Sequence, residues 1–506
     1  MKILSTRRKL FITLLICMAL LVGIGFTILN QSKALAVSTV VQQVSSDPFT
    51  NDTSQHQTQV QGGTLSHGAT VVSTFQSGRF QLGGGSSGIS WATSLDSGLT
   101  WKNGTLQGIT TYAGGPYARA SDSMVAYDPA HHIWLISALV AKTTFSNSRG
   151  STGMVVSRST NGLNWSKPVV IAESGPNDNF DKDWISCDDH KTSPFYGRCY
   201  EEWDNDIPGS GQIMMSYSTD GGLTWSAPQS PANQSIFGVG GVPVVQPNGH
   251  VVVPIYGYDH ATGAEGIYSY QSTDGGTSWS DPLEISPSIY SHAADFYRSG
   301  SLPSAGVDKD GKVYLTWAGC YFETDCANDD IVLTTSTDGL TWTPIQRIPL
   351  SAIGSGVENI TAGVTVDSST GGSKAHLAVT YYYWPDAGCT ASTCQISVGV
   401  ASSLNSGATW SKPQAVAGPT MAIWWALTDR GYMIGDYTTI TISQNRIVTV
   451  VSTAKAPDDQ TFNQYMVGAS LPVTGGSIPC DTLKSSIKAQ DVPQQSQPTK
   501  DYHSLN

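Results

Sequence analysis

The chain has 506 residues and a formal net charge of −12, long enough for several ordinary domains or one large repeat domain, and its acidic balance argues against nucleic acid as a partner. Only 13% of the residues are charged, while Gly numbers 52, Tyr 21 and Trp 14, a composition that fits many short strands joined by turns and excludes a mainly helical protein.

At the N-terminus Lys2, Arg7, Arg8 and Lys9 precede an uncharged apolar run from Leu10 to Leu29, and Ala34-Leu35-Ala36 follows as a small-x-small site. This is the layout of an export signal cleaved after Ala36. At about 20 residues the run is also long enough to span a bilayer as a retained anchor. The expected location is therefore extracellular and secreted, or, with residues 10–29 uncleaved, anchored to the outer side of the cytoplasmic membrane. The expected organisation is a signal peptide or anchor over 1–36, a folded region over 37–473 and a disordered polar tail over 474–506, where Gln, Ser and Lys abound and no periodicity survives.

The folded region begins with Ser38–Val44, apolar and β-branched, and from Gln57 to Pro472 a fixed order of short apolar strands recurs. In one clear unit Gly241–Val245 is followed by His250–Tyr256, Gly266–Tyr270, a turn, and Pro282–Ile285. The turn carries Ser-x-Asp/Asn-x-Gly-x-x-Trp or a version one residue shorter, and six copies occur: Ser94–Trp101, Ser159–Trp165, Ser218–Trp225, Ser272–Trp279, Ser336–Trp342 and Ser403–Trp410. Successive Trp residues are 64, 60, 54, 63 and 68 positions apart, about the length of a four-stranded blade with generous loops. Asp96, Asp220, Asp274 and Asp338 can fold back to accept backbone N–H bonds, Asn161 and Asn405 can do so through an amide oxygen, and the Gly supplies angles closed to other residues. A metal-binding role for these Asp residues is disfavoured, because each turn offers one carboxylate and the turns recur far from any single site.

Beyond the sixth turn lie three more strands, Met433–Ile442, Arg446–Ser452 and Gln464–Leu471, and Ser38–Val44 is available as their fourth. The expected fold is all-β, a β-propeller of four-stranded blades, seven in number, or six if a terminal unit is irregular, latched by its own N-terminal strand. Outside the export signal, Cys187 with Cys199, Cys320 with Cys326 and Cys389 with Cys394 read as disulfides closing short loops in an oxidising compartment. Zinc fits them poorly, with no Cys-x-x-Cys spacing. Cys480 is left over.

The six turns are Asp boxes, and the repeats over residues 57–472 resemble the sialidase-like propeller superfamily, in particular secreted bacterial BNR-repeat, exo-α-sialidase-like proteins. Phe75–Phe80, Tyr117–Asp122, Asp181–Ile185 with Ser193–Gly197, and Gly435–Tyr437 carry the closer likeness. The resemblance implies a glycoside hydrolase that holds a substrate carboxylate with three Arg and uses a Tyr paired with a Glu as nucleophile and an Asp as acid/base. Transferred to this sequence, it implies an Arg triad drawn from Arg79, Arg119, Arg298 and Arg430, Asp122 as acid/base, Tyr437 as nucleophile, and Glu201, Glu202 or Glu358 as its partner. The Phe/Tyr-Arg-Ile-Pro motif of these enzymes is missing before the first box, and Arg347-Ile348-Pro349 lies after the fifth.

In a propeller the first strand of each blade lines the axial channel, so polar residues at the starts of those strands are the site candidates. Asp122, Asp183, Glu358 and Asp436 form the expected catalytic carboxylate pool, with Lys182 beside them, although an inner-strand Asp also serves simply to bind backbone N–H groups. Loops between second and third strands should wall the funnel with Arg79, Trp203, Tyr258, Tyr383 and Trp384, whose rings suit stacking on sugar faces. No cofactor is required; a structural Ca²⁺ is open as an expectation because carboxylates converge, and the identity of any metal is unknown. The expected partner is a terminal acidic sugar of a glycan or polysaccharide, bound by a monomer. The rival reading is a non-catalytic propeller that binds glycan or protein at the cell surface.

Overall fold

The computed structural model describes residues 38–145, 149–207, 210–291, 296–298, 302–458 and 461–483. The expected signal peptide or anchor lies outside them. Residues from Val40 onward form one compact unit, all-β and almost free of helix, with its sheets in a propeller-like arrangement. Among the described residues no helix is long and apolar enough to cross a membrane.

The strands pair antiparallel in successive units. The first joins Gln55–His67, Thr70–Arg79, Ser86–Ser94 and Lys102–Thr105; the second joins Arg119–Asp128, Ile133–Ala141, Thr152–Ser159 and Val169–Glu173. Phe180–Cys187, Cys199–Ile207 and Ser210–Ser218 make the third, completed by a bridge from Met215 to Gln229. Next come Ile236–Val239 and Val244–Val245 on Val251–Asp259, then Glu265–Ser272 and Leu283–Pro287. Ser304–Val307, Val313–Gly319, Asp330–Ser336 and Gln346–Arg347 follow, and after them Glu358–Val366, Leu377–Trp384, Gln395–Ser403 and Gln414–Met421. The last unit is Ile440–Ser443, Arg446–Asp458 and Thr461–Pro472, and its fourth strand is Val40–Gln43, which pairs Val40 with Ser470 and Gln43 with Val467. The first strands of successive units pack against one another in a closed circuit, the last meeting the first.

Where a sheet is covered on both faces by its neighbours, a middle strand can be an unbroken apolar run rather than an alternating one, as in the fourth unit, where Val251 to Gly257 are all buried. Between the second and third sheets lie Leu135, Met154, Val156, Ile185 and Trp203; between the sixth and last lie Tyr382, Trp384, Val398, Trp425, Val451 and Leu471. At ~25 cal/mol per Å² of apolar surface, each such large side chain contributes about 2 kcal/mol.

The recurring turns show why their residues repeat. Asp96 Oδ1 accepts the N–H groups of Leu99 (3.1 Å) and Thr100 (2.8 Å), while Ser94 Oγ accepts that of Gly98 (2.8 Å). Asn161 makes the same bonds through its amide oxygen, from Leu163 and Asn164 at 2.9 Å each. The Gly abuts the preceding unit: at Gly98, with φ +84°, an added Cβ would lie 2.9 Å from Val448 Cγ1, in the last unit. Gly162 meets Val72, Gly222 meets Leu135, Gly339 meets Val252 and Gly407 meets Leu333, each one unit back.

The three predicted Cys pairs are bonded, and Cys480 is free. Part of the expected disordered tail is instead ordered. Ile478–Pro479 pairs with Thr409–Trp410, Asp481–Thr482 pairs with Gln346–Arg347, and Asp481 Oδ2 sits 3.3 Å from the buried Arg347 guanidinium. Two-residue strands have no periodicity to read in a sequence; what holds them is the cover they give Trp410 and Arg347. Residues 484–506 lie outside the description.

Candidate functional site

Four first strands share one irregularity. Their register slips at Val60/Gly63, Ser121/Met124, Asp181/Asp183 and Ile360/Gly363. Within those slips Gln61, Asp122, Lys182 and Thr361 take positive φ, +64°, +45°, +44° and +52°. A non-glycine residue in that region costs about 1–2 kcal/mol, and a bulge of this kind bends the strand and re-aims the side chain. All four side chains are buried.

Three of them meet in one polar network. Arg79 Nη1 donates to Gln76 Oε1, Gln76 Nε2 donates to Gln61 Oε1 at 2.6 Å, and Gln61 Nε2 donates to Asp122 Oδ1 at 2.6 Å. The same Asp122 oxygen accepts the Tyr437 hydroxyl at 2.9 Å and lies 3.5 Å from Lys182 Nζ. Lys182 Nζ also donates to Asp436 Oδ2, which takes a second bond from Arg298 Nη2 at 2.8 Å. Arg298 is set in place by an isolated backbone bridge, where Tyr297 pairs with Tyr432 and the Arg298 N–H donates to the Tyr432 carbonyl at 3.0 Å.

A cavity opens onto this network. It measures about 370 Å³ counting space open to solvent, and its polar lining is Arg79, Ser121, Asp122, Asp181, Arg298, Asp429 and Arg430, with Leu139, Phe145 and Met433 on the apolar side. Arg79 is 2% exposed, yet its Nε and Nη2 make no hydrogen bond among the described residues, and neither does Arg298 Nε. Burial and the neighbouring Arg298 charge lower the Arg79 guanidinium to about 10, so it stays protonated at neutral pH. Unmet buried donors of this kind cost about 1–3 kcal/mol each, which an anion in the cavity would recover.

The carboxyls of the site are driven apart. Burial opposes ionisation of Asp436, but Arg298 and Lys182 overcome it and hold the carboxyl well below its usual range. Asp122 is likewise held low, by Lys182 against burial and Asp436. Asp181, whose carboxylate accepts the Lys182 N–H at 3.0 Å, is pushed by burial up to about 6. Tyr437 is not activated: burial and the Asp122 charge drive its hydroxyl well above the ordinary range, and the ring packs edge-on to Trp184. Its partner is Asp122; neither Glu201, Glu202 nor Glu358 hydrogen-bonds it.

The remaining expected residues are dispersed. Asp183 lies beneath the site, accepting Ser137 Oγ at 2.7 Å and the Leu139 N–H at 3.1 Å, and burial with the Asp122 charge raises it well above its usual value. Glu358 belongs to another buried set, taking Ser291 Oγ at 3.0 Å and the Asp329 N–H at 3.1 Å, and burial pushes it up to about 7. Arg119 braces the cavity's rim instead of lining it, donating to the Leu82 and Gly84 carbonyls at 2.7 and 2.5 Å and stacking 4.1 Å over Phe80.

The expected wall of aromatics needs correction: Trp203 is fully buried against Phe180 and Trp384 against Tyr297, because strand alternation turns both rings into the inter-sheet core. Tyr258 and Tyr383 are partly exposed but do not line the cavity. Sequence reasoning missed Gln61, Gln76 and Asp429; the Gln-rich segment Gln55–Gln61, too polar for a core strand, was the available signal. Among the described residues no group of three or more His, Cys, Asp or Glu is arranged to hold a metal ion, and the Lys182 ammonium lies between the two carboxylates that a cation would need.

No protein-family model matches the sequence, and no curated protein matches it. Among solved structures the chain is similar to a Hadza microbial sialidase (13% identity, TM-score 0.41, covering 83% of this chain and 66% of that one). It is similar also to a protein of unknown function from Dyadobacter fermentans (14%, TM-score 0.45, 86% and 99%) and to the sialidase of Trypanosoma rangeli (12%, TM-score 0.42, 86% and 59%). The chain thus spans 66% and 59% of the two sialidase chains.

Proposed function

We propose that this protein is an exported, seven-bladed Asp-box propeller that binds the carboxylate end of a terminal acidic sugar in its central cavity and hydrolyses the linkage, as a sialidase-like glycoside hydrolase. The observation that carries this reading is the unspent guanidinium donors of Arg79 and Arg298, buried at the mouth of a cavity that also holds ionisable carboxyls. Arginine forks match a carboxylate in geometry and charge, and they are worth most where water is excluded. Carboxyls with separated proton affinities beside an anion cradle suit glycosidic bond cleavage. Three disulfides are in keeping with an extracellular site of action.

Calorimetric titration with free sialic acid tests the cradle. Each charge-assisted bond contributes about 1.5–3 kcal/mol, so Arg79→Ala or Arg298→Ala should weaken binding by about 10- to 100-fold. Hydrolysis of a fluorogenic sialoside between pH 4 and 8 tests the chemistry. Binding without turnover would replace the hydrolase with a glycan-binding propeller; absence of binding by folded protein would remove the acidic-sugar reading. N-terminal sequencing of the exported chain decides between cleavage after Ala36 and a retained anchor.

A further inference from the structure

Resting on that hydrolase reading, the geometry points to Asp181, not Asp122 or Tyr437, as the group that protonates the departing glycosidic oxygen, with Asp122 serving as the fixed negative charge beside it. The two Asp residues line the same cavity from adjacent first strands, but their surroundings differ. Asp122 Oδ1 is committed to Gln61, Tyr437 and Lys182, so it is both immobilised and charge-balanced. Protonating it would forfeit the pairing with the buried Lys182 ammonium. Asp181 stands one residue before the bulge at Lys182, remains partly exposed, and its carboxylate accepts the Lys182 backbone N–H. Tyr437 lies in the core behind Asp122 and does not line the cavity.

The charges facing Asp181 come from every side: Lys182 on its own strand, Asp204 directly opposite on the adjacent strand, Asp122 from the second unit, and Arg298 and Arg430 across the cavity. Burial outweighs the cations, so that Asp181 holds its proton to about pH 6, while Lys182 keeps Asp122 ionised well below that. An acid and a permanent carboxylate side by side are the division of labour that glycoside cleavage requires.

In the forward step the Asp181 O–H bond breaks and its proton passes to the glycosidic oxygen; the bond from that oxygen to the anomeric carbon breaks, its electron pair leaving with the oxygen as a free alcohol. The positive charge that builds on the sugar faces Asp122. A water oxygen then bonds to the anomeric carbon and its proton returns to the Asp181 carboxylate, so one water is consumed and the protein is restored.

The test compares wild type, Asp181→Asn, Asp181→Glu and Asp122→Asn on two sialosides, one with an acidic phenol as leaving group and one with a simple alcohol. Loss of a proton donor costs about 10²- to 10⁴-fold where the leaving group needs protonation, and little where it does not. Asp181→Asn should therefore lose that much on the alcohol-linked substrate, stay within about 10-fold on the phenol-linked one, and lose the basic limb of its pH profile near 6. Asp181→Glu should retain that limb, and Asp122→Asn should lose activity equally on both. If Asp181→Asn melts like wild type and loses activity equally on both substrates, or on neither, the assignment falls while the hydrolase stands. If wild type binds free sialic acid yet cleaves neither substrate, the hydrolase reading and this assignment fall together and the anion cradle remains.

Discussion

Replacing Lys182 by Met keeps the length of the side chain and removes the one ammonium shared by two buried carboxylates. The Lys182 side chain is 3% exposed and its Nζ lies 3.5 Å from Asp122. Unit charges at that distance attract by about 5 kcal/mol at an effective dielectric of about 20, a gross figure that burial of the charges reduces. Asp436 would still have its hydrogen bond from Arg298, but Asp122 would keep no directly paired cation, only neutral donors such as Gln61 and Tyr437 and the more distant Arg298 charge. Breaking a buried pair in this way costs about 3–5 kcal/mol.

The sign of its pH dependence distinguishes this cause from simple mispacking. In the wild type both carboxyls sit below their unfolded values, so their contribution is present above about pH 4 and lost as pH falls through the folded values. In the variant burial and the Asp436 charge push Asp122 up against only the more distant Arg298 charge and neutral hydrogen bonds, and its ionisation at neutral pH opposes folding. Denaturation midpoints in urea at pH 5, 6, 7 and 8 should therefore show a gap between wild type and Lys182→Met that is widest at pH 8 and narrows toward pH 5. A gap that does not change with pH, or one below about 1 kcal/mol at pH 7, would refute the reasoning.

Gly222→Ala places a Cβ 2.9 Å from Leu135 Cδ2 at a φ of +79°, and the left-handed conformation with overpacking should lower stability by about 2–4 kcal/mol in a thermal melt. The Asp274 and Asp338 carboxyls are lowered to about 2 by backbone and hydroxyl donors that outweigh burial at Asp274 and dominate at Asp338. Their stabilisation is present above about pH 4 and lost as pH falls toward 2, so Asp274→Asn with Asp338→Asn should flatten the loss of melting temperature over that window. Truncation after Val473 uncovers Trp410 and removes Asp481 from Arg347, and should destabilise the chain by at least about 2 kcal/mol. In the intact protein burial raises the Cys480 thiol to about 11, so alkylation at pH 8 should be slow and should accelerate in urea concentrations that release the paired segment 478–482 before global unfolding.

The turn signature was legible because its chemistry is local: Ser94, Asp96 and Gly98 form their bonds within one loop, and any copy of the motif brings the same geometry with it. The N-terminal strand was legible because a β-branched segment stood spare where a sheet lacked an edge, and Val40–Gln43 occupies that edge. Charges placed at the starts of first strands, Asp122, Lys182 and Asp436, did come together. What failed was parity. Trp203 and Trp384 were expected on loops facing the funnel, but Cys199–Ile207 and Leu377–Trp384 continue through them, and alternation along each strand turns the rings into the core. The spurious Tyr–Glu pairing failed for a related reason: Glu358 starts a first strand as expected, but its carboxylate turns to Ser291 and the Asp329 N–H.

The left-handed steps at Gln61, Asp122, Lys182 and Thr361 separate scaffold from chemistry. An amide, an acid, an amine and a hydroxyl occupy equivalent places, each at a step that leaves the ladder on either side paired. A lineage descended from such a ring could therefore rewrite the character of its hub by four point changes, with the surrounding sheets left as they stand.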